Sequence, residues 1–167
     1  MGIEIERKFL LKDATWRHEV TMPPRSLTQG YIMRGQGGPT VRVRIADDAA
    51  FLTIKGKTKG ADVLERSEFE YAVPVEDAQA MLEEFCDSRV VKKLRYHVKG
   101  EDGFLWEIDE YLDLNSGLFT AEIELPDADT SFLKPEWLGE EVSGDKRYSN
   151  GALSVLPYSE WSDCHEQ

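Results

Sequence analysis

Charged residues recur at every second position in this chain, beginning with Glu4, Glu6 and Lys8. In an extended strand such residues share one face, because side chains alternate sides at period two. The same spacing joins Arg42 with Arg44, Thr53 with Lys55, Arg66 with Glu68 and Glu70, Lys93 with Arg95 and His97, Glu107 with Asp109, and Glu122 with Glu124. Two carboxylates on one strand face lie about 7 Å apart. Carboxylates converging from several strands can hold Mg²⁺ or Mn²⁺, which prefer oxygen ligands. Arg clamps phosphate oxygens through paired hydrogen bonds, and Lys meets them as a point charge. Acids and bases gathered in this way suit a cation and a polyanion bound together. The chemistry implied is phosphoryl transfer, where positioning and charge stabilisation carry most of the catalysis.

The elements that must position these groups are strands. Alternation marks eight of them: Ile3 to Leu11, Leu27 to Arg34, Thr40 to Ala46, Phe51 to Gly56, Val63 to Val73, Val90 to Lys99, Phe104 to Leu112 and Leu118 to Pro126. Opposite each charged face is an apolar one, such as Ile3, Ile5 and Phe9, or Val41, Val43 and Ile45. For a single strand, a solvated charged face is the ordinary explanation. Seven strands carrying mixed full charges favour a barrel that turns those faces inward. Gly35 to Pro39 and Glu101 to Gly103 fit hairpin loops. Ala78, Met81, Leu82 and Phe85 at helical spacing predict a helix over Val75 to Cys86 starting at Pro74. Shorter helices are expected over Asp13 to Val20, capped by Asp13, and over Asn150 to Leu156. The tail after Tyr158 reads as polar and frayed.

Composition sets the limits. The 167 residues carry 20 basic and 32 acidic side chains, a formal charge of −12, and suit one domain with a core needing no staples. Two cysteines, Cys86 and Cys164, fit a reducing, cytoplasmic setting better than a disulfide framework. No apolar run approaches the length of a membrane span, and the N-terminus has no signal pattern. The acidic total opposes duplex nucleic acid as a partner. The inward set is nearly balanced: eight acids (Glu4, Glu6, Glu68, Glu70, Glu107, Asp109, Glu122, Glu124) against seven bases (Lys8, Arg42, Arg44, Lys55, Arg66, Lys93, Arg95), a net −1. The excess negative charge therefore belongs to the exterior, loops and tail. Bound divalent cations would leave the interior positive.

Glu4-Ile5-Glu6-Arg7-Lys8 reads ExExK on the first strand and resembles the CYTH superfamily of triphosphate tunnel metalloenzymes. The resemblance runs on through Gln29-Gly30-Tyr31, Val41-Arg42-Val43-Arg44, Thr53-Ile54-Lys55-Gly56, Glu68-Phe69-Glu70, Lys93-Leu94-Arg95-Tyr96, Trp106-Glu107-Ile108-Asp109, Ala121-Glu122-Ile123-Glu124-Leu125 and Lys146-Arg147-Tyr148-Ser149-Asn150. It implies a mainly β (α+β) fold, an eight-stranded antiparallel β-barrel with a charged interior and a few flanking helices, over residues 1–158 with a polar tail at 159–167. Carried over by position, Glu4, Glu6, Asp109, Glu122 and Glu124 look like the metal set. Lys8, Arg42, Arg44, Lys55, Lys93 and Arg95 look like the phosphate clamp. Glu6, Lys8, Tyr31 and Glu124 are the catalytic candidates, Tyr31 contacting phosphate or sharing proton handling with Lys8. Glu68 and Glu70 pair with bases or serve a second metal, and Arg66 lies near the tunnel mouth. His97 need not reach substrate, and His165 with Cys164 in the tail is a poor metal site. The four tryptophans are expected to pack outside the barrel or on helices.

The resemblance, to short bacterial inorganic triphosphatases in particular, implies a Mg²⁺- or Mn²⁺-dependent hydrolase of a small triphosphate, with inorganic tripolyphosphate the favoured substrate. Thiamine triphosphatase, a class IV-type adenylate cyclase and a non-catalytic polyphosphate or nucleotide sensor are the alternatives. A homodimer is compatible with the sequence, as is a plug at one tunnel end formed by Asn150 to Leu156.

Overall fold

A computed structural model of the chain describes residues 2–34, 38–57, 64–86 and 90–162. All eight expected strands are present: β1 (Gly2–Leu11), β2 (Arg25–Arg34), β3 (Thr40–Ala46), β4 (Ala49–Lys55), β5 (Leu64–Val73), β6 (Val91–Lys99), β7 (Leu105–Tyr111) and β8 (Phe119–Glu124). They close into an antiparallel barrel in the order β1, β5, β4, β3, β2, β6, β7, β8. β1 is the seam. Gly2 to Glu6 pair with β5, and Glu6 to Leu10 pair with β8 on the other edge. Closure pairs each of the eight strands on both sides, removing the sheet edges that template aggregation. Part of the first expected hairpin loop, residues 35–37, lies outside the described residues. The second is a tight turn in which Gly103 takes φ +89°, a conformation that favours glycine.

A ninth strand, β9 (Leu138–Glu141), continues along the edge of β1 that β5 vacates, with Phe9 opposite Glu141. Its four residues, Leu-Gly-Glu-Glu, carry no alternation long enough to read.

The apolar core lies outside the barrel wall, as the inward-facing charges require. Ile5, Phe9, Trp106, Ile108, Ala121 and Ile123 turn outward from β1, β7 and β8 and are covered by Trp16, Trp137 and Leu138. Phe9, Trp106 and Trp137 meet edge to face, with ring centroids 5.6–5.7 Å apart, a favoured aromatic geometry. Trp16 comes from a short 3₁₀ helix, Thr15–Glu19. Asp13 does not cap that helix; it accepts from the backbone N–H and hydroxyl of Thr15 instead.

Helix α1 (Val75–Phe85) begins after Pro74 and packs Ala78 and Leu82 on Val43 and Ala50. Phe85, expected in the apolar stripe, is 55% exposed, and Cys86 fills the buried place instead. Gly30 of β2 makes this approach possible, since a Cβ there would stand 2.9 Å from Cys86 and Leu82 atoms.

A third apolar cluster closes one barrel end: Val91, Tyr111 and Leu118 meet Tyr148, Leu153 and Trp161. Helix α2 (Asn150–Val155), capped by the Ser149 hydroxyl, supplies Leu153. Trp161, in the segment expected to fray, is buried between Tyr148 and Tyr158 with centroids 5.0 and 5.2 Å away. No helix among the described residues is long and apolar enough to cross a membrane.

Candidate active site

The barrel encloses a cavity of about 1090 Å³. Glu4, Glu6, Glu68, Glu70, Glu107, Glu122 and Glu124 line it, as do Lys8, Arg42, Arg44, Lys55, Arg66, Arg95 and Tyr31. Each reaches it because an even position on its strand faces in or, on β2, β4, β6 and β7, an odd one.

Strand register gives the cavity a direction. Glu6 stands opposite Glu124, Lys55 opposite Glu68, and His97 opposite Glu107. These pairs gather carboxylates toward one end. Burial raises the Glu6 carboxyl above its ordinary value, with Glu4 adding repulsion against the pull of Lys55 and Lys8. Glu124 is raised as well, first by burial and then by Glu6, Glu68 and Glu107. Toward the other end Gln29 stands opposite Arg44, and Lys8 opposite Glu122. Burial, with Arg42 and Arg95 as repelling neighbours, pushes Arg44 down to about 9, which still leaves it protonated at neutral pH. Lys8 goes the other way: burial lowers it, but Glu122, Glu6 and Asp109 outweigh that and raise it.

The lining is partly self-neutralised. Lys55 Nζ meets Glu4 at 2.8 Å, Arg66 Nε approaches the same carboxylate at 3.6 Å, and Lys8 Nζ lies 3.4 Å from Glu122. Arg42 Nη2 donates to Thr53 at 3.3 Å. Among the described residues, two buried guanidinium N–H groups, Arg42 Nε and Arg66 Nε, have no hydrogen-bond acceptor. Buried donors without acceptors carry a desolvation cost that an anionic ligand would remove.

Lys93 and Asp109 are the two candidates that do not line the cavity. They lie behind it, 0% and 1% exposed. Asp109 accepts from Lys93 Nζ at 2.7 Å and from Arg95 Nε and Nη2 at 2.8 and 2.9 Å. Burial alone would raise this carboxyl, but Arg95 and Lys93 hold it well below the usual range. Burial pushes Lys93 down to about 7, with Asp109 opposing. Position on the inward face was legible in the sequence; depth within that face was not. Arg95 bridges the two layers, reaching the cavity while tied to Asp109 and, at 3.1 Å, to Glu107. His97 lies 3.4 Å from Glu107 and off the cavity lining. His165 and Cys164 lie outside the described residues.

Some contributors are visible in the sequence only as parts of motifs. Gln29, fully buried, donates to Tyr31 Oη at 2.9 Å and accepts from Arg44 Nε at 2.8 Å, fixing both. The Tyr148 carbonyl accepts from Lys8 Nζ at 3.1 Å. The Ser143 hydroxyl accepts from the Lys8 backbone N–H at 3.0 Å and donates to Glu141 at 2.7 Å. Asn150 lines the cavity from the first turn of α2. Lys-Arg-Tyr-Ser-Asn was the available signal, but only the fold shows that it meets Lys8 and Lys93.

The cavity-lining Glu4, Glu6, Glu68, Glu107 and Glu124 offer hard carboxylate oxygens, which fit Mg²⁺ or Mn²⁺ and not a soft metal. The raised Glu6 and Glu124 carboxyls are like charges held together, a strain a divalent cation relieves. Among the described residues no three such groups are already gathered around one point. Glu4 and Glu122 are instead turned to ammonium partners.

A closed barrel whose one cavity gathers the Glu6 and Glu124 carboxylates with the Arg42, Arg44 and Arg95 guanidinium groups defines a tunnel protein for a cation and a polyanion together. The chain belongs to the CYTH domain family, whose model matches residues 2–152. It is 42% identical over 169 residues to an inorganic triphosphatase of Acetivibrio thermocellus, covering 98% of this chain and 100% of that one. An inorganic triphosphatase of Nitrosomonas europaea is 38% identical over 155 residues, covering 91% and 97%. Among solved structures, the crystal structure of the inorganic triphosphatase NE1496 superposes with a TM-score of 0.65 at 34% identity, covering 91% of this chain and 97% of that one.

Proposed function

We propose that this protein is a divalent-metal-dependent triphosphatase that hydrolyses inorganic tripolyphosphate to pyrophosphate and phosphate. The observation that carries the reading is the combination in one cavity of two facing carboxylates, Glu6 and Glu124, with a guanidinium cluster, Arg42, Arg44 and Arg95. The two relatives named inorganic triphosphatase, matched over nearly their whole length, support the choice of substrate.

In this reading Arg42, Arg44, Lys55 and Arg95 bind the phosphate chain and hold it in line. Gln29 keeps Arg44 aimed, and Asp109 does the same for Arg95. Lys8, held protonated, donates to the phosphate whose charge grows as the anhydride breaks, and does not serve as the proton acceptor. Tyr31 has its hydroxyl oxygen engaged by Gln29, which leaves its proton to donate to a phosphate oxygen. Glu4, Glu6, Glu122 and Glu124 would hold Mg²⁺ or Mn²⁺, with Glu68 beside them. Bound there, the ion supplies charge neutralisation of the phosphates and a more acidic water. Lys93 and Asp109 are assigned to support of the clamp. Binding without turnover would not need so many metal-capable carboxylates beside the bases, which disfavours the sensor.

The test is a panel of tripolyphosphate, ATP, thiamine triphosphate and pyrophosphate, each assayed for phosphate and cyclic AMP with Mg²⁺, Mn²⁺ or chelator. Tripolyphosphate should be turned over fastest and only with metal. Cyclic AMP as the main product, or faster thiamine triphosphate cleavage, would replace this substrate assignment.

A further inference from the structure

The carboxamide of Asn150 has only one orientation that its surroundings allow. Its Oδ1 accepts from Lys93 Nζ at 3.2 Å and from the Tyr111 hydroxyl at 2.9 Å. Lys93, in its ammonium form against Asp109 at 2.7 Å, offers three donors and no acceptor, so the reversed amide would set N–H against N–H. Both donors are fixed in place, Lys93 by Asp109 and Tyr111 by complete burial in the closing apolar cluster. The acceptor end of Asn150 is therefore fully engaged on the wall.

The donor end is not. Asn150 is half-buried and lines the cavity. Its Nδ2 meets no acceptor of the chain among the described residues. Of the charged groups in that half of the cavity, Arg44, Arg95 and Lys8 are donors, and the Glu122 carboxylate facing them is turned to Lys8 Nζ at 3.4 Å. With Oδ1 held on the wall, the two amide hydrogens of this cavity-lining side chain take their acceptor from outside the protein.

Resting on the triphosphatase reading, we infer that Asn150 is a substrate-binding residue that donates Nδ2 hydrogens to a non-bridging oxygen of the phosphate lying deepest in the tunnel. Lys93, Tyr111 and, through Lys93, Asp109 are the positioning residues that aim it. A neutral donor suits this place. Arg42 and Arg95 already repel Arg44, and a further cation would add to that repulsion while an amide adds a hydrogen bond without charge.

The sequence makes the test simple, because Asn115 and Asn150 are the only asparagines of the chain. Selective ¹⁵N-asparagine labelling then yields two side-chain amide pairs. Asn115, whose Oδ1 accepts the Tyr158 N–H away from the cavity, is the internal reference. Titration with tripolyphosphate in chelator, where turnover is absent, should move the Asn150 pair downfield and leave the Asn115 pair in place. Asn150→Asp keeps the acceptor oxygen and turns the donor end into an anion. It should weaken tripolyphosphate binding in calorimetry about 10- to 100-fold, the range for a hydrogen bond to a charged group. Tripolyphosphate binding with an unmoved Asn150 amide, or with equal affinity in Asn150→Asp, overturns the inference while leaving the triphosphatase reading intact. Absence of tripolyphosphate binding and turnover in the wild type removes both. Should Asn150→Asp fail to fold, the wild-type amide shift decides alone.

Discussion

Asp109→Asn keeps the shape of a side chain and removes the charge that holds two buried cations. Asp109 is 1% exposed and answers Lys93 and Arg95 together, at 2.7 to 2.9 Å. Breaking a buried pair by removing one partner costs about 3–5 kcal/mol. A domain of this length loses about 2–4 °C of melting temperature per kcal/mol, so the variant should melt roughly 6–20 °C lower at pH 6. The loss depends on pH through Lys93, which burial holds at about 7 with Asp109 opposing. Without Asp109 it falls further. A base depressed in the folded state binds fewer protons there than in the unfolded chain, and stability drops as pH falls toward the folded value. Above pH 7 this contribution is common to both proteins. Below pH 7 only the variant goes on losing, by up to about 1.4 kcal/mol per pH unit. Melting curves of the metal-free proteins at pH 6 and pH 9 measure this directly. Melting within 2 °C of wild type at both values, or a larger gap at pH 9, would refute the buried-pair account and return Asp109 to the metal set.

Other parts of the molecule make three further outcomes testable. Arg44→Met should raise the KM for tripolyphosphate at least about 10-fold, since a charge-assisted hydrogen bond is lost; an unchanged KM in steady-state kinetics would remove Arg44 from the clamp. Gly30→Val would drive atoms into Cys86 and Leu82, where a Cβ alone stands 2.9 Å away. Overpacking of this kind costs about 1–3 kcal/mol, and an unaltered denaturation midpoint would contradict the packing of α1 on β2. Glu6 and Glu124 are raised in the folded protein, so the folded state binds more protons than the unfolded one as pH rises above the ordinary 4.5. Metal-free stability therefore falls as pH rises through that window, and metal binding within it should release protons. Calorimetry of Mg²⁺ or Mn²⁺ binding in buffers of different ionisation enthalpy detects them; identical heats in all buffers would argue against these ligands.

Much of the barrel was legible because an inverted barrel writes its topology twice, as charges inward and apolar residues outward. Glu4, Glu6 and Lys8 against Ile5 and Phe9 is the plainest case. Depth was hidden. Lys93 has the same spacing from Arg95 as Arg42 has from Arg44, yet the closing cluster around Tyr111 buries it behind the lining. Trp161 shows a related limit, since a polar neighbourhood at a chain end conceals a residue whose burial depends on Tyr148 and Tyr158. Gln29 and Asn150 escaped as contributors because a neutral amide announces nothing until the donors around it are known.

Product analysis of tripolyphosphate hydrolysis by wild type, Glu6→Gln and Glu124→Gln, with Mg²⁺ or Mn²⁺ and with chelator, tests the central claim most directly. Wild type should give pyrophosphate and phosphate in equal amounts with metal and none with chelator, and both folded variants should lose turnover. Turnover that survives chelation, or near-wild-type rates in both variants, would contradict it.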